Sequence, residues 1–391
     1  MRVCFVSHAS EMAGAERAML ELISGLRQKG VACFVLLPEP GPIMSCLERD
    51  GTPFAILPYQ WWVHEGVWRE TLHRGFSNLR VIAPVARQLD QWQIDIVWTN
   101  SAVAPPVGAW AAKTRRLPHI WFLHEFVKKE HGIVFPLGIR LSCKIIAGLS
   151  RYVVVCSKAL EDYYAQYIPR QQLRVVYQAI QRSCNPSPQE EQILRTGSQA
   201  PKLLLVGWMY EGKRQIDAIR ALGHLAGQGM EAELFLMGSA LPSYLQQLED
   251  AAAENKVERR VHFCGYVEGA AGLMKEADVV LSCSMWEAFP RVVVEAMRAG
   301  KPLVAARHAG TAELVCDGFN GLLYAPGDPI ELAAKIRQLA ENPELAVRLG
   351  ENGRQWAETQ FSVEKYAERV LQILSEVSGT RQPGPKGIRE L

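Results

Sequence analysis

Several absences narrow the reading of this chain. Its nine cysteines, at positions 4, 33, 46, 143, 156, 184, 264, 283 and 316, include no CxxC pair. An odd, scattered set lying in apolar runs such as "VACFVLL" and "YVVVCS" reads as reduced core thiols of a cytosolic protein. No uncharged run reaches the ~18 residues of a membrane span. The nearest candidate, "IVFPLGIRLSCKIIAGL", is interrupted by Pro136, Arg140 and Lys144. The opening "MRVCFVSH" has neither a long apolar stretch nor a cleavage site, so it reads as a strand and not as an export signal. Charge of one sign is also missing. With 43 Lys and Arg against 41 Asp and Glu, the net +2 supplies no global field for nucleic acid.

What is present describes a globular protein of two domains. The length of 391 residues exceeds one ordinary core, and 48% hydrophobic with 21% charged residues excludes a disordered or fibrous chain. The charge is divided unevenly. Residues 1–182 hold 21 Lys and Arg against 14 Asp and Glu, a balance of +7, which leaves −5 for the remainder. A basic first half suits a membrane surface or an anionic acceptor, or is simply a solvated basic face.

Short β-branched runs alternate with helical segments, the pattern of parallel sheets built from βαβ units. Seven strand candidates occupy the first half: "RVCFVS", "ACFVLL", "PFAILP", "DIVWTN", "HIWFLH", "YVVVCS" and "RVVYQ". Six occupy the second: "KLLLVG", "ELFLMG", "VHFCGY", "VVLSCS", "PLVAAR" and "GLLYA". The expected division is a domain over residues 1–180, a Pro/Ser/Gln-rich linker over 181–201, and a second domain over 202–360. A helix over 361–376 carries Val363, Tyr366, Val370, Ile373 and Leu374 on one face, and the Gly/Pro-rich tail 377–391 reads as disordered. Ligands of such sheets bind at the carboxyl ends of the strands.

The segment "SMWEAFPRVVVEAMRAGKP", residues 284–302, is the most informative stretch. Pro290 suits a first helical turn, and Gly300 followed by Pro302 ends the helix. Backbone amides of Phe289, Pro290's neighbour Arg291, and Val292 then lie at a helix start, where the dipole favours a phosphate. Glu287 in the turn is placed to accept hydrogen bonds from sugar hydroxyls, and Glu295 within the helix to hold a ribose by its two hydroxyls. The plain alternative is a helix start carrying acidic residues for dipole reasons alone.

In "LLLVGWMYEGKRQIDAI", Lys213 and Arg214 end a strand-to-helix turn, where two cations could neutralise a diphosphate leaving group or form a solvated basic turn. In "SHASEMAGAERAM", the small residues Ala13, Gly14 and Ala15 let a phosphate or sugar approach a helix start. His124 and Glu125 end the strand of "PHIWFLHEF", and Asn100 and Ser101 end that of "WTNS"; both pairs are placed on the rim where an acceptor would lie. A lone histidine in such a place is more often structural. The stretch "YQWWVHEGVWRETLHRGFSNLR" mixes Trp61, Trp62 and Trp68 with Arg69, Arg74 and Arg80, as a membrane interface, a saccharide platform or a loop packed on the core would.

The E-x7-E spacing in "SMWEAFPRVVVEAMRAGKPLVA" resembles the signature of the retaining GT-B glycosyltransferases of family four. "HAGTAELVCDGFNGLLYAPGD" resembles the glycine-plus-glutamate segment that follows it there, and the likeness extends more loosely over residues 1 to 375. Lys213 falls on the family's lysine, whereas Trp208 stands where its arginine is expected; Arg214 is the candidate to supply that charge. "RVHFCGYVEGAAGLM" resembles the loop whose backbone, here near Tyr266 and Val267, contacts the nucleobase. The family's G-G-x-E loop maps on Ala13 to Glu16, and it also has a histidine after the strand that ends at His124.

The resemblance implies two Rossmann-like, doubly wound parallel-sheet domains facing across a cleft. It implies transfer of a hexose, with glucose favoured, from a nucleoside-diphosphate sugar, UDP favoured, to a saccharide or lipid-linked saccharide in polysaccharide or glycoconjugate assembly. His124, Glu287 and Lys213 would form the reactive centre, with no metal and no further cofactor. The chain would be cytoplasmic, or peripheral to the inner face of the membrane through its first domain, and would not bind nucleic acid. The rival readings are a nucleotide-sugar epimerase, a sugar-binding receptor, and a family member that binds the nucleotide without turnover.

Overall fold

The computed structural model describes residues 1–63, 68–135, 137–181 and 185–379, leaving aside the side chains of residues 68–73 and 131. Each of the thirteen β-branched runs contributes one strand. In the first half these are β1 (Arg2–Val6), β2 (Ala32–Leu37), β3 (Phe54–Ile56), β4 (Ile96–Asn100), β5 (His119–Leu123), β6 (Tyr152–Val155) and β7 (Leu173–Val175). In the second they are β8 (Lys202–Val206), β9 (Glu233–Met237), β10 (Val261–Gly265), β11 (Val279–Ser282), β12 (Leu303–Ala306) and β13 (Leu322–Tyr324). Nearly continuous apolar composition is what a strand covered on both faces requires, and Val3 to Val6, like Val279 to Ser282, are buried throughout.

The first sheet runs β3-β2-β1-β4-β5-β6-β7 and the second β10-β9-β8-β11-β12-β13, with every pairing parallel. The shared order places one reversal between β1 and β4 and another between β8 and β11. At such a reversal the flanking crossovers leave to opposite faces, opening a crevice at the strands' carboxyl ends. The expected architecture of two Rossmann-like doubly wound sheets facing across a cleft is the one present.

The last helix, Val363–Ser378, returns to the first domain and packs against the first helix, Gly14–Gln28. Contact there is backbone-close: a Cβ on Gly25 would sit 2.8 Å from both Ala367 Cβ and Val363 Cγ1. Tyr366, Val370, Ile373 and Leu374 are buried as the helical spacing predicts. This helix continues to Ser378, two residues into the stretch expected to be a disordered tail; residues 380–391 lie outside the described residues. The connecting stretch between the sheets is anchored as well. Leu194 is buried, and the Glu190 carboxylate accepts hydrogen bonds from the amides of Ser187 and Gly269. Among the described residues no helix is long and apolar enough to cross a membrane.

Candidate active site

A cavity of about 540 Å³ lies between the carboxyl ends of the two sheets, lined from both domains. Two helix starts meet in it. The helix Gly14–Gln28 follows β1, and the helix Arg291–Arg298, capped by Pro290, follows β11. The first amides of each helix have no carbonyl ahead of them within the helix, so both ends present donors and a favourable dipole to an anion. A Cβ on Gly14 would come within 3.7 Å of Arg291 Cδ, which shows how closely the two starts approach.

Lys213 and Glu287 form the charged centre. Lys213 Nζ lies 2.5 Å from Glu287 Oε2. Burial pulls the lysine's pKa down, but Glu287, with Tyr210 and Glu130, more than offsets it, so the ammonium is held firmly protonated. The turn carrying Glu287 is fixed by the helix start at Ala309: Gly310 N donates to Glu287 O at 2.9 Å. A Cβ on Gly310 would lie 2.2 Å from Ala288 O, so only glycine fits. Glu130 also lines the cavity, its carboxylate accepting from Phe126 N at 3.0 Å. Burial, and then the nearby Glu287 charge, raise its pKa well above the ordinary carboxylate range.

On the facing wall, His124 follows β5. Its Nε2 is 2.8 Å from Asn100 Oδ1 and its Nδ1 2.8 Å from Gln178 Nε2. An amide oxygen on one side and an amide NH₂ on the other assign the Nε2–H tautomer. Burial, with His8 and Arg291 nearby, lowers the imidazole pKa to about 3, so the ring is neutral. Ser101 adopts a left-handed conformation with φ +86°, a strained state for a side-chain-bearing residue. Glu125 holds it there. Its Oε1 accepts from Ser101 Oγ at 2.6 Å and Ala102 N at 2.9 Å, and its Oε2 from His124 N at 2.8 Å. His8, after β1, places Nδ1 2.9 Å from the fully buried Glu16.

A second cavity, of about 1170 Å³, adjoins the first and shares Ala13 and Arg291 with it. Glu295, Tyr266 and Arg17 line this one. Burial raises the Glu295 pKa, against the pull of Arg291 and Arg17.

The residues singled out in the sequence therefore separate. Gly14, Ala15, Ser101, His124, Glu125, Lys213, Glu287, Phe289, Pro290, Arg291 and Val292 line the first cavity. Asn100 stands behind His124 and also donates to Ala15 O at 3.1 Å. Glu295 and Tyr266 line the second cavity, and Val267 packs half-buried against the core beside it. Arg214 does not enter the first cavity. It takes a left-handed conformation (φ +51°) at the start of helix Gln215–Gly227, and its guanidinium is engaged by Asp217 at 2.8 and 2.9 Å. It is thus engaged locally, outside the lining of the first cavity. Trp208 itself lines the cavity, half-exposed and tilted against Tyr210. Trp61 lines the cavity and donates to His8 O, whereas Trp62 is buried and donates to Ala102 O. The side chains of Trp68 and Arg69 lie outside the described residues.

His8, Glu130, Gln178 and Ser284 belong to the cavity and were not singled out from the sequence, whereas Glu16, the glutamate of the G-G-x-E resemblance, lines it too. His8 ends a strand in "CFVSH" just as His124 ends "WFLH", so the same strand-end argument would have found it. Glu130 sits in the single-turn helix Lys128–His131, which carries no comparable signal.

Contacts across the domain boundary close the site. Arg291 pairs with Glu21 of the first domain at 2.9 and 3.0 Å. Glu313, on the helix Ala309–Leu314, accepts from the amides of Lys158 and Ala159 at the start of helix Lys158–Tyr164 and from Tyr177 Oη. Trp286 packs against Phe126, with Lys129 Nζ 4.0 Å from its ring centre.

Twin switch-point sheets sharing a charged cleft form a two-domain fold of the GT-B type. The model of Glycosyltransferase Family 4 matches residues 12–183 and that of Glycosyl transferases group 1 matches residues 187–356. The chain belongs to this family of glycosyltransferases. The putative glycosyltransferase EpsD of Bacillus subtilis is 27% identical over 317 residues, covering 76% of this chain and 81% of that protein. An uncharacterized glycosyltransferase of Methanocaldococcus jannaschii is 24% identical over 273 residues, covering 68% and 69%. The crystal structure of Anabaena HepE in complex with UDP superposes with a TM-score of 0.80 at 25% identity, covering 96% of this chain and all of the other.

Proposed function

We propose that this enzyme moves a hexose, glucose by preference, from a UDP-sugar to a saccharide or lipid-linked saccharide, with retention at the anomeric carbon. The observation that carries the reading is the meeting of Lys213, Glu287 and the start of helix Arg291–Arg298 in one cavity. Structures of the Anabaena protein hold UDP, and UDP with glucose, which supports the donor class.

In this reading the diphosphate rests against the helix start and Lys213, so its charge is balanced without a metal. Glu287 exchanges its lysine contact for sugar hydroxyls. The nucleoside extends into the second cavity, where Glu295 accepts from the ribose hydroxyls and the backbone near Tyr266 and Val267 meets the base. The acceptor hydroxyl oxygen attacks the anomeric carbon on the leaving-group side. As that bond forms, the bond from the anomeric carbon to the diphosphate oxygen breaks, and the hydroxyl proton passes to that departing oxygen. The depressed pKa of His124, with both ring nitrogens held by Asn100 and Gln178, supports a role in shaping the sugar pocket and argues against a general base. Rate acceleration then comes from positioning and from stabilising the leaving diphosphate. Incubation of the protein with a panel of nucleotide sugars tests the reading through released UDP. Turnover with UDP-glucose is expected, and tight UDP binding without any turnover would overturn it in favour of an idle nucleotide-binding protein.

A further inference from the structure

Glu130 reaches the reaction cavity from the first domain and shares it with the second-domain pair Lys213 and Glu287. The chain bends sharply to put it there. Val127, at the start of the single-turn helix Lys128–His131, has φ +54°, an outlier for a β-branched residue. Backbone strain of this kind persists where the surroundings over-determine it, and it clusters at functional sites. Both domains then hold the buried Glu130 in place. Its carboxylate accepts from Phe126 N at 3.0 Å, and its main-chain oxygen accepts from Tyr210 Oη of the second domain at 3.1 Å.

The cations of this cavity already have carboxylate partners: Lys213 has Glu287, Arg291 has Glu21 and His8 has Glu16. Trp208, where the family resemblance expects an arginine, lines the cavity without a charge. A donor that draws the Lys213 ammonium to its phosphates leaves Glu287 unpaired and adds negative charge to the same space. Neighbouring carboxyl groups cannot all ionise there. Glu125 is bound as a carboxylate by Ser101 Oγ and the amides of Ala102 and His124, so Glu130 is the member that keeps a proton. We propose that Glu130 is a further donor-binding residue, a neutral acid in the loaded site whose O–H donates a hydrogen bond to an oxygen of the diphosphate. The inference rests on the UDP-sugar reading above and adds an uncharged donor to its diphosphate site.

Burial, and then the Glu287 charge, already raise the Glu130 pKa to about 8. The groups facing it are Glu287, Lys213 and Tyr210 from the second domain, and Glu125, Cys156 and Tyr164 from the first. Its own segment adds Lys128 and Lys129, both exposed. The Lys213 ammonium is held protonated, while burial pushes Tyr210 up to about 12 and Cys156 and Tyr164 well above their usual values. These four therefore keep their charge between about pH 7.5 and 9.5. The diphosphate charge raises the Glu130 pKa further. Binding above about pH 8 thus takes up a proton from the buffer, and affinity falls as pH rises through that value.

Calorimetric titration of the full chain with UDP tests the inference, since the terminal phosphate of UDP is already ionised above about pH 7.5. Wild-type affinity is expected to fall by up to about 10-fold per pH unit between about pH 8 and 9.5. Glu130→Gln, which keeps a hydrogen-bond donor that does not titrate, is expected to lose that slope. At about pH 8.5, wild-type titrations in two buffers of different ionisation heat are expected to show uptake of more than about half a proton per UDP, and Glu130→Gln none. Glu130→Ala, with no donor, is expected to bind UDP roughly 10-fold more weakly than Glu130→Gln at about pH 7. Circular dichroism and melting temperature at each pH establish that the variants fold, and the wild-type proton count stands without them. Equal slopes in wild type and Glu130→Gln, or no proton uptake by the wild type, overturn the inference and leave the donor reading intact. Failure of the wild type to bind UDP at every pH overturns both.

Discussion

Lys213 Nζ and Glu287 Oε2 stand 2.5 Å apart across two loops separated by 74 residues of sequence. Each side chain is mostly buried, so each stabilises a charge that the other would otherwise leave unpaired. The pair is a stand-by state in the proposed cycle: the ammonium turns to diphosphate and the carboxylate to sugar when donor enters.

Lys213→Ala is therefore expected to weaken UDP binding by about 10- to 150-fold, the span that loss of one hydrogen bond to a charged group gives. Calorimetric titration with UDP checks this. Unchanged affinity would mean that the diphosphate lies elsewhere.

Glu287→Ala should abolish transfer and lower the melting temperature by stranding the Lys213 ammonium, while the loop keeps its place because Gly310 N still donates to the main-chain oxygen of position 287. Initial rates with UDP-glucose, read beside the melting temperature, make the comparison. A wild-type rate would remove Glu287 from the reaction.

Glu295 distinguishes the nucleoside from the phosphates, since it lines the second cavity and not the first. Glu295→Gln should weaken UDP by roughly 10-fold, as a neutral acceptor replaces a charged one, and leave inorganic pyrophosphate unaffected. Equal losses for both ligands would contradict a ribose role.

The Glu21–Arg291 pair joins the domains at two nearly buried side chains. Glu21→Gln strands the guanidinium and is expected to cost about 3 kcal/mol, with part recovered in Glu21→Gln/Arg291→Met. Urea midpoints of the wild type, Glu21→Gln, Arg291→Met and the double variant give the coupling directly; additive losses would show that the pair does not act as a unit.

His124 gives the acid limb of stability a defined sign. Its folded pKa, about 3, lies below the ordinary 6.5, so between those values the unfolded chain binds the extra proton. Stability then falls as pH drops through that window, by up to about 1.4 kcal/mol per pH unit for one proton. His124→Gln should lose that contribution to the slope in urea melts between pH 4 and 6. An identical slope would place the imidazole in a wetter setting than the structure describes.

Much of this was legible in the chain because it is local. All thirteen strands are apolar runs between turn signals, and Pro290 and Gly300 bracket their helix as such residues do. The strand-end rule found His124 and Ser101, and resemblance singled out Lys213 with Glu287. The remainder depends on backbone turns or on contacts distant in sequence. Asp217 is only three residues from Arg214, yet their pairing goes with a left-handed turn at position 214 that an arginine does not announce. Likewise Glu21 meets Arg291, and Glu313 caps a helix of the other domain, only because the two sheets face each other. Glu130 acquires its raised pKa from burial beside Glu287, which no neighbour in sequence encodes.

A crystal structure with an intact, non-hydrolysable analogue of UDP-glucose bears on all of this at once. The account predicts phosphate oxygens within hydrogen-bonding reach of Lys213 Nζ and of the first amides of helix Arg291–Arg298, with hexose hydroxyls on Glu287 and the ribose on Glu295. Phosphates resting away from that helix and that lysine would contradict it.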